Sequence, residues 1–495
     1  MNVNDSSSSS LSQTAVPLDP IVAMPAHALS AAIRGKAVSC VEVMRAYLDR
    51  IEQVNGRVNA IVALRERAVL LDEAAQKDAA LARGEWQGWL HGIPQAPKDL
   101  AMTKDIVTTM GSPIFRDFHP AEDTLSVARM RAAGAIFVGK TNTPEFGLGS
   151  HTFNEVYGAT RNPYDLTKSA GGSSGGAAAA LAARMLPVAD GSDFGGSLRN
   201  PAAFCNVFGF RPSAGRVPRW PSMDVFYQQF GVEGPMGRTV VDVAQLLAIQ
   251  AGYDPRDPLS FADDPARFTQ PLDADPRGKR IAWVGDWRGH LAIEPGVLAL
   301  GERALDTLRT LGCDVDAALP DFEPARIWRI WLAHRHLMSG GSLLAHYRDP
   351  ARRALLKPEA VFEVEGLLAM TADQVYEASA ARTAWYQAVL AMFERYDFLA
   401  APTAQVFPFD VEARWPASIA GREMDTYHRW METVTPWTLA GCPVINVPAG
   451  FNEAGLPTGI QLIGRPRNDF GVLQLAHAYQ QARDWVAERP PVIAG

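Results

Sequence analysis

Two glycine–serine clusters, Gly171-Gly172-Ser173-Ser174-Gly175-Gly176 and Gly195-Gly196-Ser197, place Ser173 and Ser197 24 residues apart. A serine hydroxyl is a weak nucleophile at neutral pH. To attack a carbonyl it needs an adjacent base, an oriented relay and donors for the developing oxyanion. Glycine suits such a place because it reaches positive φ and lets a substrate approach the main chain closely. A flexible Gly/Ser linker would not run at once into AAAALAAR, a good helix former, nor flank the apolar run LPVA. A P-loop would need a GK[ST] ending and a dinucleotide fold its GxGxxG spacing, and neither is present.

The usual base for such a serine is histidine. The Ser197 cluster is not GxSxG, and the ten histidines carry no matching context. His91 lies nearest the motifs and reads as structural. A lysine can replace histidine when burial lowers its pKa. Lys98 follows the apolar run Gly92–Ala96 and Pro97, which suits the end of a buried strand. A lysine there is costly unless hydrogen-bonded, so its presence points to function.

Elements that must hold these residues are legible on either side. Residues 27–53 carry helical periodicity through Val43, Met44, Tyr47, Leu48 and Ile51, with Ser39 and Glu42 forming a capping box. A second helix covers 65–84. Strand and helix signals then alternate. Helices are expected at 126–133, 175–184 and 240–251, and strands at 135–139, 186–189, 280–284 and 398–400. Residues 443–448 and 458–463 read as a hairpin. This alternation predicts an α/β fold, a large mixed β-sheet core covered by helices on both faces. Residues 253–280 read as a surface excursion. Residues 320–395 read as a mainly helical elaboration, with Trp328, Trp331, His334 and Leu337 on helical spacing. That stripe suits core packing or a pocket wall. Residues 1–18 are expected to be a disordered tail, because five consecutive serines bury no apolar area. Residues 19–495 are expected to form a single domain.

The quoted motifs resemble those of the amidase signature family. The likeness rests on GIPQAPKDL (92–100), GKTNTPEFG (139–147), SAGGSSGG (169–176) and DGSDFGGSLRNPAAFCNVFGFRPSAGRV (190–217). It continues through 234–258, 398–409 and 438–466. The 75 residues from Lys98 to Ser173 and the 24 from Ser173 to Ser197 also agree with the family's spacing. The resemblance implies a nucleophile at Ser197, a relay at Ser173 on a cis peptide bond, and a base at Lys98. It implies an oxyanion hole from the N–H groups of Phe194, Gly195, Gly196 and Ser197. Ser174, Asp193 and Arg199 would support the loop, and the segment from Gly147 to Ser150 would line the substrate pocket. It implies an amidase working through an acyl-enzyme, needing no metal or cofactor. Pro97 departs from the small β-branched residue usual there, and Asn200 also varies from common patterns.

Composition agrees with a protein that can bury a large core: 495 residues, 47% hydrophobic and 20% charged. A net charge of −7 argues against nucleic acid and anionic membrane as partners. Cys40, Cys205, Cys313 and Cys442 lie far apart without metal spacing, which suits free thiols in a reducing compartment. No signal peptide or membrane-spanning run is evident, and the cytoplasm is the expected location. Tyr427, Trp430 and Trp437, with Trp220, Phe226, Tyr227 and Phe230, suggest a pocket for an apolar or aryl linear amide. Cyclic amides, aryl carbamates and esters are alternatives under the same chemistry. An inactive binding homologue and a glutamyl-tRNA amidotransferase A subunit are less favoured. A homodimer is compatible with this reading.

Overall fold

The computed structural model describes residues 18–227 and 229–493; residues 1–17 of the expected tail lie outside the described residues. Eight strands form one mixed sheet. In chain order they are β1 (Val188–Asp193), β2 (Phe208–Arg211), β3 (Val232–Gly237), β4 (Arg280–Trp283), β5 (Asp314–Ala317), β6 (Phe398–Pro402), β7 (Val444–Phe451) and β8 (Pro457–Gly464). The spatial order is β5-β4-β6-β8-β7-β2-β3-β1. β4 runs parallel to β5 and β6, and every other neighbouring pair is antiparallel. The 443–463 hairpin is β7 with β8, in register from Val444 opposite Ile463.

Side-chain alternation explains why both faces must be covered. Phe398 and Ala400 join one apolar cluster, whereas Leu399 and Ala401 join another. Ile281 and Ala282 split in the same way. Successive strand residues point to opposite faces, so a strand apolar at every position is buried twice. One face packs on the helices Val240–Gln250, Val297–Thr310 and Asp469–Ala482. The other packs on the helices Pro324–Arg335 and Ala372–Phe393 with Trp430 and Trp437.

The helical stretch expected over 27–53 is two helices, Ala26–Arg34 and Cys40–Val58. Lys36 takes a positive φ of 59° between them, and Ser39 then starts the second helix with the expected capping box. Trp328 and Trp331 stack on each other within the core, 4.9 Å between ring centres. All four cysteines are free and buried. Among the described residues, no helix is long and apolar enough to cross a membrane.

Candidate active site

Lys98 is held by a small sheet of its own. Pro94–Gln95 pairs in parallel with Ile136–Phe137. Beyond that pair, the Thr141 N–H donates to the Pro97 carbonyl at 3.1 Å, and the Asp99 N–H donates to the Thr141 carbonyl at 3.0 Å. Proline at 97 removes a donor that this pairing does not use. The Lys98 N–H itself donates to Asp190 Oδ2 at 3.3 Å. Pinned on both sides, the side chain crosses to the end of β1. Its Nζ donates to Ser173 Oγ at 2.8 Å, Ser174 Oγ at 2.9 Å and Ser192 Oγ at 3.1 Å. Lys98 is 1% exposed. Burial pushes its pKa down to about 7, against the opposing charges of Asp190, Asp193 and Glu233.

Ser173 follows a cis peptide bond from Gly172. Ser174 caps the helix Gly175–Ala182, and its N–H donates to the Ser197 carbonyl at 3.1 Å. The two serine clusters are thus joined through the main chain. No direct hydrogen bond links the Ser173 and Ser197 hydroxyls among the described residues. Both residues line one cavity of about 250 Å³ with Lys98, Gly147 and Phe194.

The turn from β1 into the helix Arg199–Phe204 carries Ser197. Its form depends on Asp193. That carboxylate accepts from the N–H groups of Gly196 (2.9 Å) and Leu198 (3.1 Å), and from Arg199 Nε and Nη2 at 3.0 Å each. Arg211 adds an ion pair at 3.2 Å. Burial alone would raise the Asp193 pKa, but the two guanidinium groups hold it well below the usual carboxylate range. Gly196 has φ +91°, and a Cβ there would stand 2.7 Å from Val434 Cγ2. Only glycine makes this turn without strain.

The expected oxyanion donors divide. The Gly196 N–H is engaged by Asp193. The N–H groups of Phe194, Gly195 and Ser197 make no protein hydrogen bond among the described residues. The expected pocket segment divides too. Gly147 lines the cavity, and a Cβ on it would lie 3.4 Å from Ser173 Oγ. Ser150 lies behind the Ser173 loop. It donates to the Gly172 carbonyl at 2.5 Å and accepts from Asn200 Nδ2 at 2.8 Å, so it braces that loop. Asn200, a departure from common patterns, has this as its contact.

The aromatic residues expected to form the pocket do not. Trp430 and Trp437 are 1% and 0% exposed within the core. The Tyr427 hydroxyl donates to Glu363 at 2.5 Å. Phe226 and Tyr227 face solvent. Phe230 is buried against Phe194 and His334. The apolar wall comes instead from Leu100, Phe146, Leu148, Phe194, Val232 and Leu343. Leu148 falls within the expected 147–150 segment and Phe194 within the expected oxyanion turn; the other four come from separate loops, strands and helices, so no local pattern announced them. Ser192 and Asp190 were missed for a similar reason. Strand alternation along 188–193 could have flagged them, since both fall on the face that meets Lys98.

The fold is a mixed α/β one, and one of its cavities brings a buried lysine and two serines together, with no histidine among its lining residues. Residues 42–473 match the Amidase family, and the chain belongs to it. The glutamyl-tRNA(Gln) amidotransferase A subunit of Moorella thermoacetica is 36% identical over 94% of this chain and 98% of its own. An acylamidase of Rhodococcus erythropolis is 34% identical over 94% and 97%. Among solved structures, a bacterial aryl acylamidase of the amidase signature enzymes superposes with a TM-score of 0.88. It is 29% identical, covering 95% of this chain and 100% of the other.

Proposed function

We propose that the protein is an amidohydrolase cleaving the C–N bond of a small linear amide with an apolar or aryl part, through an acyl-enzyme on Ser197. The observation that carries this reading is the Lys98 ammonium buried against the Ser173 and Ser174 hydroxyls, in the cavity that holds Ser197. A lysine whose pKa is about 7 is neutral in a large share of molecules near neutrality. Neutral Lys98 takes the Ser173 proton as Ser173 takes that of Ser197. Ser197 Oγ bonds to the carbonyl carbon, and the unengaged N–H groups of the turn bind the oxyanion. The proton returns through Ser173 to the leaving nitrogen as the C–N bond breaks. Water then attacks the ester by the same route and releases the acid. The apolar part of the substrate would rest on Leu100, Phe146 and Leu343.

Identity of 36% to an amidotransferase A subunit favours a second reading, in which the chain works within a complex. Purified alone and offered acetanilide, a nitroanilide, an aliphatic amide, an aryl carbamate and a cyclic amide, the protein should turn over an aryl member. Ser197→Ala should abolish that turnover while its circular dichroism stays native. Equal rates in both proteins would sink the mechanism. No rate with any member would shift weight to the second reading.

A further inference from the structure

The wall of the catalytic cavity carries two guanidinium groups that the proposed chemistry does not use. Arg335 ends the helix Pro324–Arg335 and is 5% exposed. Its Nε donates to Glu363 Oε1 at 3.2 Å and its Nη2 to the Tyr427 hydroxyl at 3.2 Å. Both atoms lie on one edge of the planar fork. Glu363 is itself held by His336 Nδ1 at 2.9 Å and by Tyr427 at 2.5 Å. The fork is therefore fixed, and its Cζ lies 4.6 Å from the centre of the Phe194 ring, the first residue of the turn that carries Ser197. The Nη1 edge has no protein acceptor among the described residues. Burying an arginine costs free energy that Glu363 offsets, but Glu363 uses only the rear edge.

Arg219 reaches the same cavity from the segment before β3. Among the described residues its side chain makes one hydrogen bond, from Nη1 to the Gly231 carbonyl at 3.2 Å. Among the described residues no carboxylate lies within ion-pair distance of its guanidinium. Arg219 also lines a neighbouring cavity of about 210 Å³, together with Gly231 and Val232, so it stands at the partition between the two. Other acids of the catalytic cavity do not answer it. Asp193 is satisfied by Arg199 and Arg211, and Asp190 faces the Lys98 backbone. Glu233 pairs with no cation within ion-pair distance among the described residues.

We infer that Arg219 and the Nη1 edge of Arg335 form an anion-recognising subsite, and that the preferred substrate is an amide bearing a carboxylate beside its apolar part. This deepens the proposed amidohydrolase reading and rests on it. Guanidinium forks match carboxylates in geometry and hold them by charge-assisted hydrogen bonds. A fork locked by Glu363 and Tyr427 loses little freedom on binding.

Two anilide series test this, one substituted on the acyl chain and one on the ring. Each contains a carboxylate, the matching carboxamide and the unsubstituted compound. In at least one series the carboxylate member should have the highest kcat/KM. Arg219→Gln should lower the carboxylate-to-carboxamide ratio roughly tenfold or more. Arg335→Gln should lower it too, but it strips Glu363 of a partner and could unfold locally. Arg219→Gln is therefore the deciding variant. Calorimetry on Ser197→Ala protein gives a readout independent of turnover. The carboxylate anilide should bind it more tightly than the carboxamide, and adding Arg219→Gln should erase that preference. Equal binding of the two in Ser197→Ala, or a preference untouched by Arg219→Gln, overturns the subsite. Failure of every compound to turn over would count against the amidohydrolase reading, while the binding arm still decides this one.

Discussion

At the scale of single residues, the site turns on one lysine kept short of a full charge. In the proposed mechanism Lys98 must be neutral to accept a proton, so kcat/KM should rise with pH and level off above about 7, the value to which burial pushes it. Below it the rate should fall about tenfold per pH unit, as a single protonation requires. Asp190 works the other way, since its negative charge favours the ammonium form. Asp190→Asn should therefore move the acid limb to lower pH, while Lys98→Ala should cut turnover by about two to four orders of magnitude. A stopped-flow or steady-state pH profile checks both signs. A limb that stays in place in Lys98→Ala would assign the titration to another group. Much of this arrangement was legible in advance: a lysine after an apolar run and two Gly-Ser clusters marked the groups that the fold brings together. What they touch was not. Ser150 and Gly147 sit three residues apart, yet one braces the Gly172 carbonyl and the other lines the cavity. Sequence spacing does not encode which side of a loop faces the substrate.

At the scale of elements, Asp193 is the joint between the sheet and the turn that carries Ser197. It closes β1, caps the turn through Gly196 and Leu198, and gathers Arg199 from the next helix and Arg211 from β2. Arg199 carries the tie further, to Gln461 on β8 at 2.6 Å and the Val434 carbonyl at 3.0 Å. Breaking a buried ion cluster by removing one partner leaves the others uncompensated, at a cost of about 3–5 kcal/mol. Asp193→Asn should lower the urea midpoint accordingly without changing the m-value. Turnover should fall as well, because an amide has one acceptor oxygen where the carboxylate has two, so the Gly196 and Leu198 N–H groups that fix the turn are no longer both answered. An unchanged midpoint would mean that Arg199 and Arg211 find other acceptors. The elements themselves were mostly legible, since short apolar runs mark strands buried on both faces and 3.6-residue periods mark helices. The two aromatic segments were not. Tyr427, Trp430 and Trp437 looked like a pocket wall because apolar loop residues are ambiguous until their neighbours are known. They are buried because the helices of 324–393 and the sheet close over them from either side.

At the scale of the whole molecule, the question is whether the helices of 324–393 fold with the sheet or apart from it. They lie between β5 and β6 in the chain, yet they supply one of the two layers that cover the sheet. Trp328, Trp331 and Trp385 from this segment pack with Trp430 and Trp437, which precede β7. Arg335 reaches from the same segment into the cavity that Lys98, Ser173 and Ser197 line. Removing the segment would expose an apolar face from residues on at least four strands, an amount of surface a folded sheet does not tolerate in water. We therefore expect 19–495 to unfold as one cooperative unit. Tryptophan fluorescence reports chiefly on the layer built around these rings, whereas far-ultraviolet circular dichroism reports on every helix and strand. In urea the two transitions should coincide, and loss of turnover should coincide with both. A fluorescence midpoint well below that of circular dichroism would make the helical segment a separate unit docked on a finished sheet. The cavity wall would then be assembled by docking, and Arg335→Gln should shift the fluorescence midpoint alone.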